Sequence, residues 1–142
     1  MAKIDAIEGV GASYAEKLNS VGISTTQHLL DKGATTKGRE EIVGQTGISD
    51  KLILRWVNHA DLFRLKGVGG EFAELLEASG VDTVAELAQR NAANLCQKMA
   101  EVNAEKKLTR RVPTEAQLTA WITEAKSVPK VVTHGSATQA KA

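Results

Sequence analysis

The chain repeats itself, and the repeat sets the size of the unit it folds into. Ile7-Glu8-Gly9-Val10-Gly11 returns 58 positions later as Leu65-Lys66-Gly67-Val68-Gly69. In that register Ala15 aligns with Ala73, Leu18 with Leu76, Gly22 with Gly80, Ile23 with Val81, Thr25 with Thr83 and Leu29 with Leu87, so that nine positions recur without a gap. Further on, Ile53-x-x-Trp56-Val57-x-x-Ala60 matches Leu118-x-x-Trp121-Ile122-x-x-Ala125 with the offset grown to 65, so the second copy carries an insertion of seven residues. Self-similarity at a fixed period is the mark of a duplicated supersecondary unit.

The apolar positions within each copy recur at three and four rather than at two, and β-branched residues are scattered, which predicts an all-α fold. Gly9 and Gly11, like Gly67 and Gly69, bracket a tight turn between a short helix and a longer one. Gly22 and Gly80 suit the left-handed position just past that longer helix, with Ile23 or Val81 folding back on it as in a Schellman ending. Thr83-x-x-Glu86 opens a further short helix, and Asn91 caps the next, which runs through Leu95 and Met99. Ser49 caps a helix through Leu52, Ile53, Trp56 and Val57 that is expected to continue to Leu65 and feed the second turn directly. Val112-Pro113-Thr114-Glu115 starts the last helix, with Thr114 and Gln117 in capping-box spacing, and Pro129 ends it. The expected organisation is one repeat over residues 1–61, a second over 62–129 containing the insertion, and a loose polar tail over 130–142. The two repeats are expected to share a rigid helix and to pack as one compact helical body.

At 142 residues and 42% hydrophobic, the chain is long enough to bury a core by itself. No stretch approaches the roughly 20 apolar residues of a membrane span, and the N-terminus lacks a hydrophobic signal core, so a cytoplasmic address with no membrane partner is expected. Cys96 is the only cysteine, which excludes an intramolecular disulfide and any Cys-rich zinc site. With 4% aromatic residues there is too little to build an extended stacking platform for single strands, and Trp56 and Trp121 read as core. Net charge is only +1, but residues 104–142 carry seven basic and three acidic groups. Such asymmetry permits an anionic partner at one end of the chain.

The pattern hydrophobic-x-Gly-Val-Gly-x-x-x-Ala-x-x-Leu, present in both copies, resembles the helix-hairpin-helix motif of repair enzymes, ligases, polymerases and nuclease accessory domains. The continuation Gly80-Val81-Asp82-Thr83-Val84-Ala85-Glu86-Leu87-Ala88 is similar to the N-terminal domain of archaeal and eukaryotic RecA-type recombinases. Over nearly its whole length the chain resembles a bacterial two-hairpin family classed as a domain of unknown function. The helix-hairpin-helix resemblance implies two hairpins gripping phosphates on either side of a minor groove. Main-chain amides of the turn and of the following helix would donate to an anion favoured by the helix dipole. Such contacts read no bases, so the implied binding is independent of sequence.

Carried over by position, the implied contacts are Gly9, Val10, Gly11, Gly67, Val68 and Gly69, with Lys66 and Arg64 adding cations beside the second turn. DNA-binding hairpins place Lys or Arg just after the second glycine, whereas here the positions read Ala12-Ser13-Tyr14 and Gly70-Glu71-Phe72. Glu8, Glu71 and Glu74 adjoin the turns. Carboxylates oppose a phosphate there, yet near a helix N-terminus they also stabilise the dipole by about 0.3–1 kcal/mol without any ligand. Lys106, Lys107, Arg110 and Arg111, within the expanded part of the second repeat, form either a phosphate-tracking run or a solvated face. Tyr14 and Phe72 follow the turns at nearly equivalent places and are left without a shared role.

His28, His59 and His134 show no metal spacing and no carboxylate pattern, so neither metal nor cofactor is expected. Asp5 and Asp61 precede the hairpins, but a glycosylase of the resembled class would need its catalytic Asp well downstream. The expectation is therefore a non-enzymatic protein that binds DNA or RNA through the phosphate backbone. The rival is a protein-interaction or scaffold module in which the hairpins only join helices.

Overall fold

The computed structural model describes residues 2–133. Their contacts divide into two compact units, one comprising the chain up to Asp61 together with the segment from Val131, the other Leu62–Lys130. Eight α-helices are present among the described residues, and the sole β-type pairing among them is an isolated bridge between Lys3 and Thr25. Among the described residues no helix is long and apolar enough to cross a membrane.

The first unit opens with a single 3-10 turn, Ile4–Ala6, followed by α1 (Ala12–Asn19), α2 (Thr26–Gly33), α3 (Thr36–Thr46) and α4 (Asp50–Leu62). Its core gathers Ile4, Ile7, Val10, Leu18, Ile23, Leu29, Ile42, Ile53, Trp56 and Val57, all nearly inaccessible. The approach to the glycine turn is wound in steps of three: Ile7 N–H donates to Ile4 O at 3.3 Å and Val10 N–H to Ile7 O at 3.1 Å. Three apolar side chains at that spacing all face inward, which is why the segment winds tighter than an α-helix.

The second unit contains α5 (Gly70–Ala78), α6 (Val84–Leu87), α7 (Ala92–Lys106) and α8 (Glu115–Ser127). Helix α7 packs on α5 and α8, and α6 packs on α8. The core runs from Leu62 and Leu65 through Leu75, Leu76, Leu87 and Met99 to Leu118 and Trp121. The steps of three recur, with Leu65 N–H on Leu62 O at 3.1 Å and Val68 N–H on Leu65 O at 3.2 Å. This corrects the expectation that α4 continues to Leu65. It stops at Leu62 because the next two apolar residues, Leu65 and Val68, reach the core through three-residue turns rather than four-residue ones.

The caps follow the sequence closely. Gly22 and Gly80 take φ of +86° and +95°. Ile23 N–H and Val81 N–H each donate 2.9 Å back to Leu18 O and Leu76 O, and Gly22 and Gly80 donate to Asn19 O and Glu77 O, the two bonds of a Schellman ending. Thr83, Asn91, Ser49 and Thr114 accept from the amides of Glu86, Asn94, Leu52 and Gln117. The Thr114–Gln117 box is reciprocal. Helix α8 ends at Ser127, two residues before Pro129.

Part of the insertion extends the helix: in register with α3, α7 begins two residues earlier and ends two residues later, and only the last two belong to the insertion. The rest lengthens the loop that follows, which runs from Lys107 to Thr114 where the first copy needs only Gly47 to Ser49. The tail expected to be loose from Lys130 starts as an anchored segment of the first unit. Val132 is buried, Thr133 N–H donates 2.8 Å to Ala34 O, and the Arg39 guanidinium holds the Thr133 carbonyl. Residues 134–142 lie outside the described residues.

Candidate functional site

Each glycine turn is built in the same way. Gly9 and Gly67 adopt φ of +94° and +89°, a left-handed conformation that a Cβ would strain. Val10 and Val68 then point inward and are buried. Gly11 and Gly69 are extended and stand as N-caps of α1 and α5 with no side-chain cap. A Cβ at either position would meet nothing within 4 Å. The other six α-helices each begin on a Thr, Ser or Asn whose side chain accepts a first-turn amide. Helices α1 and α5 therefore begin with their first amides facing outward under exposed glycines.

A tryptophan from a later helix supports each turn from below. The indole nitrogens of Trp56 and Trp121 each lie 3.6 Å from where a Cβ on Gly9 or Gly67 would stand. Tyr14 and Phe72 pack edge-on against these rings, with centroids 5.0 and 5.4 Å apart. These two residues are 58 positions apart, in strict register, and have one shared role as partners of the tryptophans.

The structure changes the donor set drawn from the sequence. The amides of Val10 and Val68 are already donated to Ile7 O and Leu65 O inside the turns, so they are not outward donors. The Arg64 guanidinium donates 2.7 Å to Pro129 O and ties the turn approach to the end of α8. Lys66 presents an exposed side chain, but its backbone is held at both polar atoms. Its N–H donates 3.1 Å to the Glu124 carboxylate, and its carbonyl accepts from Trp121 Nε1 at 2.9 Å. Gly9 and Gly11 stay together in the first unit. Gly67, Gly69 and Lys66 stay together in the second.

Lys106 is the last residue of α7 and Lys107, Arg110 and Arg111 lie on the loop that follows, all four exposed. Leu108, between them, and Val112, just after them, pack inward against the core. Asn103 clasps the loop with two bonds, accepting from Thr109 N–H at 2.9 Å and donating to Thr109 O at 3.0 Å. The run thus lies on a shaped loop. Lys107 itself is left-handed at φ 53°, at the helix end where the first copy uses Gly47.

Several residues escaped the sequence reading. Lys32 Nζ donates 2.9 Å to Val21 O, and Arg90, 58 positions later, donates to Ser79 O and Gly80 O. Both cations neutralise the negative ends of the helices that follow the turns. Their alignment in the same register was the available signal. Arg39 is buried and donates to Gly33 O, Ala34 O and Thr36 Oγ1, and burial pushes its guanidinium below the ordinary range. Glu124 had no signal, since its register partner is His59.

His28 Nδ1 accepts from Ser24 N–H, His59 is buried in the first unit, and His134 lies outside the described residues. Among the described residues no three His, Cys, Asp or Glu side chains converge in a way that could hold a metal ion. Cys96 is half-buried, with Sγ 3.6 Å from Pro113 O. Of the acids by the turns, Glu8 and Glu71 are exposed and Glu74 is half-buried.

A family model described as a domain of unknown function (DUF4332) matches residues 8–128. No curated protein and no solved structure matches the chain.

Proposed function

The chain belongs to that domain-of-unknown-function family, and we propose that it binds nucleic-acid backbones without regard to sequence, duplex DNA foremost, through main-chain amides at its two glycine turns. The reading takes the turns as helix-hairpin-helix hairpins and involves no catalysis. The observation that carries it is the contrast in capping. Six helices close their first turn with a side-chain oxygen, whereas α1 and α5 leave theirs open under glycine, in space where a Cβ would touch nothing. An anion is the group such an N-terminus accommodates.

Magnitude bears on how many contacts are needed. One or two charge-assisted hydrogen bonds contribute about 1.5–3 kcal/mol each, which places one turn alone near the millimolar range. Useful affinity therefore requires both turns or the added field of Lys66 and the run Lys106, Lys107, Arg110 and Arg111. Each neutralised phosphate steepens the salt dependence by about 0.9 in log–log slope.

The experiment is fluorescence anisotropy of a labelled duplex at several salt concentrations, comparing the native chain with Gly11→Asp/Gly69→Asp. Both backbones already have N-cap geometry, so an aspartate would cap the helix and close its amides from within, raising stability by a few tenths of a kcal/mol. The expected outcome is a thermal midpoint that is unchanged or higher and an affinity lowered at least about tenfold. Unchanged affinity in a folded double variant means the turns bind nothing.

The rival, a protein-interaction module whose turns only join helices, draws support from the amides of Val10, Val68 and Lys66, all engaged within the protein. It is favoured by association with a protein or with itself that is insensitive to salt and to both aspartates.

A further inference from the structure

Several cations of the helical body are engaged by it. Lys32, Arg39 and Arg90 donate to main-chain carbonyls of the turns and helix ends, and Arg64 donates to Pro129 O. The run at the end of α7 is different. Among the described residues no ion pair engages the side chains of Lys106, Lys107, Arg110 or Arg111, and the flanking acids, Glu105 and Glu115, are exposed and do not pair with them. Four cations within six residues hold a positive potential that is left to counterions or to an anionic partner.

The backbone beneath these charges is fixed. Leu108 and Val112 pack on the core, Pro113 is buried, Asn103 holds both polar backbone atoms of Thr109, and Thr109 Oγ1 donates 2.7 Å to Arg111 O. With Leu108 and Val112 turned inward, the loop offers no apolar face of the kind a membrane-surface segment inserts. It offers charge on a held backbone, so a ligand need not order the loop in order to bind it. The forked donors of the adjacent Arg110 and Arg111 match phosphate oxygens. The loop is also distinct from the glycine turn of the same unit. It enters α8 at Thr114, whereas the turn meets α8 through Lys66 at Trp121 and Glu124, seven to ten residues further along. That is about 10–15 Å at the helical rise, a distance spanned by about three or four phosphates of a strand and not by one.

We infer that the loop from α7 to α8 is a second contact for the nucleic-acid backbone, made by side chains, and that it carries most of the salt dependence of binding. This rests on the nucleic-acid reading above and divides the contacts by kind. The amides of the turns carry no net charge and displace few counterions, whereas each Lys or Arg that neutralises a phosphate displaces about one.

The test is duplex anisotropy over a range of salt with four variants of the full chain beside the native one. Lys106→Gln/Lys107→Gln/Arg110→Gln/Arg111→Gln should flatten the log–log slope by about 2–3.6 and weaken binding at least about thirtyfold at about 0.1 M salt. Lys37→Gln/Lys51→Gln/Lys98→Gln/Lys126→Gln, which removes the same charge from other exposed places, should flatten it by less than about one. Asn103→Ala keeps every charge but frees the loop, and should leave the slope native and weaken binding about three- to tenfold. Gly11→Asp/Gly69→Asp should weaken binding with little change of slope. A loop variant whose slope moves by less than about one, a control that matches it, or Asn103→Ala with native affinity would each overturn the inference. So would binding to vesicles of phosphatidylserine and phosphatidylcholine in place of duplex. If the loop variant behaves as expected while the two aspartates leave affinity unchanged, the turn mechanism fails alone. A native chain that binds no duplex at low salt removes both.

Discussion

Lys107 shows what a single residue can be made to bear. It ends α7 at φ 53°, a conformation that costs a side-chain-bearing residue about 1–2 kcal/mol, while the corresponding helix end in the first copy uses Gly47. Lys107→Gly should relieve that strain and give back about 0.5–1 kcal/mol through the freer unfolded chain. The expected net is a stabilisation of up to about 1 kcal/mol, read as a higher urea midpoint at unchanged slope. Glycines and caps were legible at this scale because their roles are set by local backbone geometry. The partners of Arg64, Lys66 and Arg90 were not, since each is a carbonyl or carboxylate made available by folding. Lys66 is the sharpest case: its side chain suggested an anion site, and its backbone turned out to hold Glu124.

Among the elements, the loop joining α7 to α8 is where the second repeat departs most from the first. Its shape depends on the Asn103 clasp, which satisfies both backbone polar groups of Thr109. Asn103→Ala should cost about 1–2 kcal/mol and, more tellingly, speed hydrogen exchange at the Thr109 amide well beyond the change at amides of α5. Equal acceleration everywhere would show that the clasp supports the whole unit rather than the loop. The helix starts at Thr83, Asn91 and Thr114 and the endings at Gly22 and Gly80 were readable because capping chemistry is local. The end of α4 was misread because a run of apolar residues does not distinguish steps of three from steps of four. Ile4, Ile7 and Val10, matched by Leu62, Leu65 and Val68, carried that signal at a spacing of three.

On the scale of the whole molecule, the chain leaves the first unit after Asp61 and returns to it at Val131. The return is anchored by the buried Val132 side chain and by Thr133 on Ala34 and Arg39. A chain ending at Lys130 should therefore lose about 2–4 kcal/mol from the first unit, the sum of one buried valine and the freed carbonyl and guanidinium partners. Hydrogen exchange should accelerate in α2 and α3 and stay near native in α5, α7 and α8. Loss of protection in the second unit instead would mean that the segment does not belong to the first.

The sequence by itself determined the helical class, the two glycine turns, the caps and the buried tryptophans. All of these follow from periodicity and from conformations that few residue types tolerate. Only the tertiary structure decided which polar groups the turns still offer outward. Val10 and Val68 donate inward, Arg64 reaches Pro129, and Glu124 meets Lys66 across 58 residues. A hydrogen bond needs its two partners within about 3 Å, and no spacing in the sequence encodes that distance between residues so far apart along the chain.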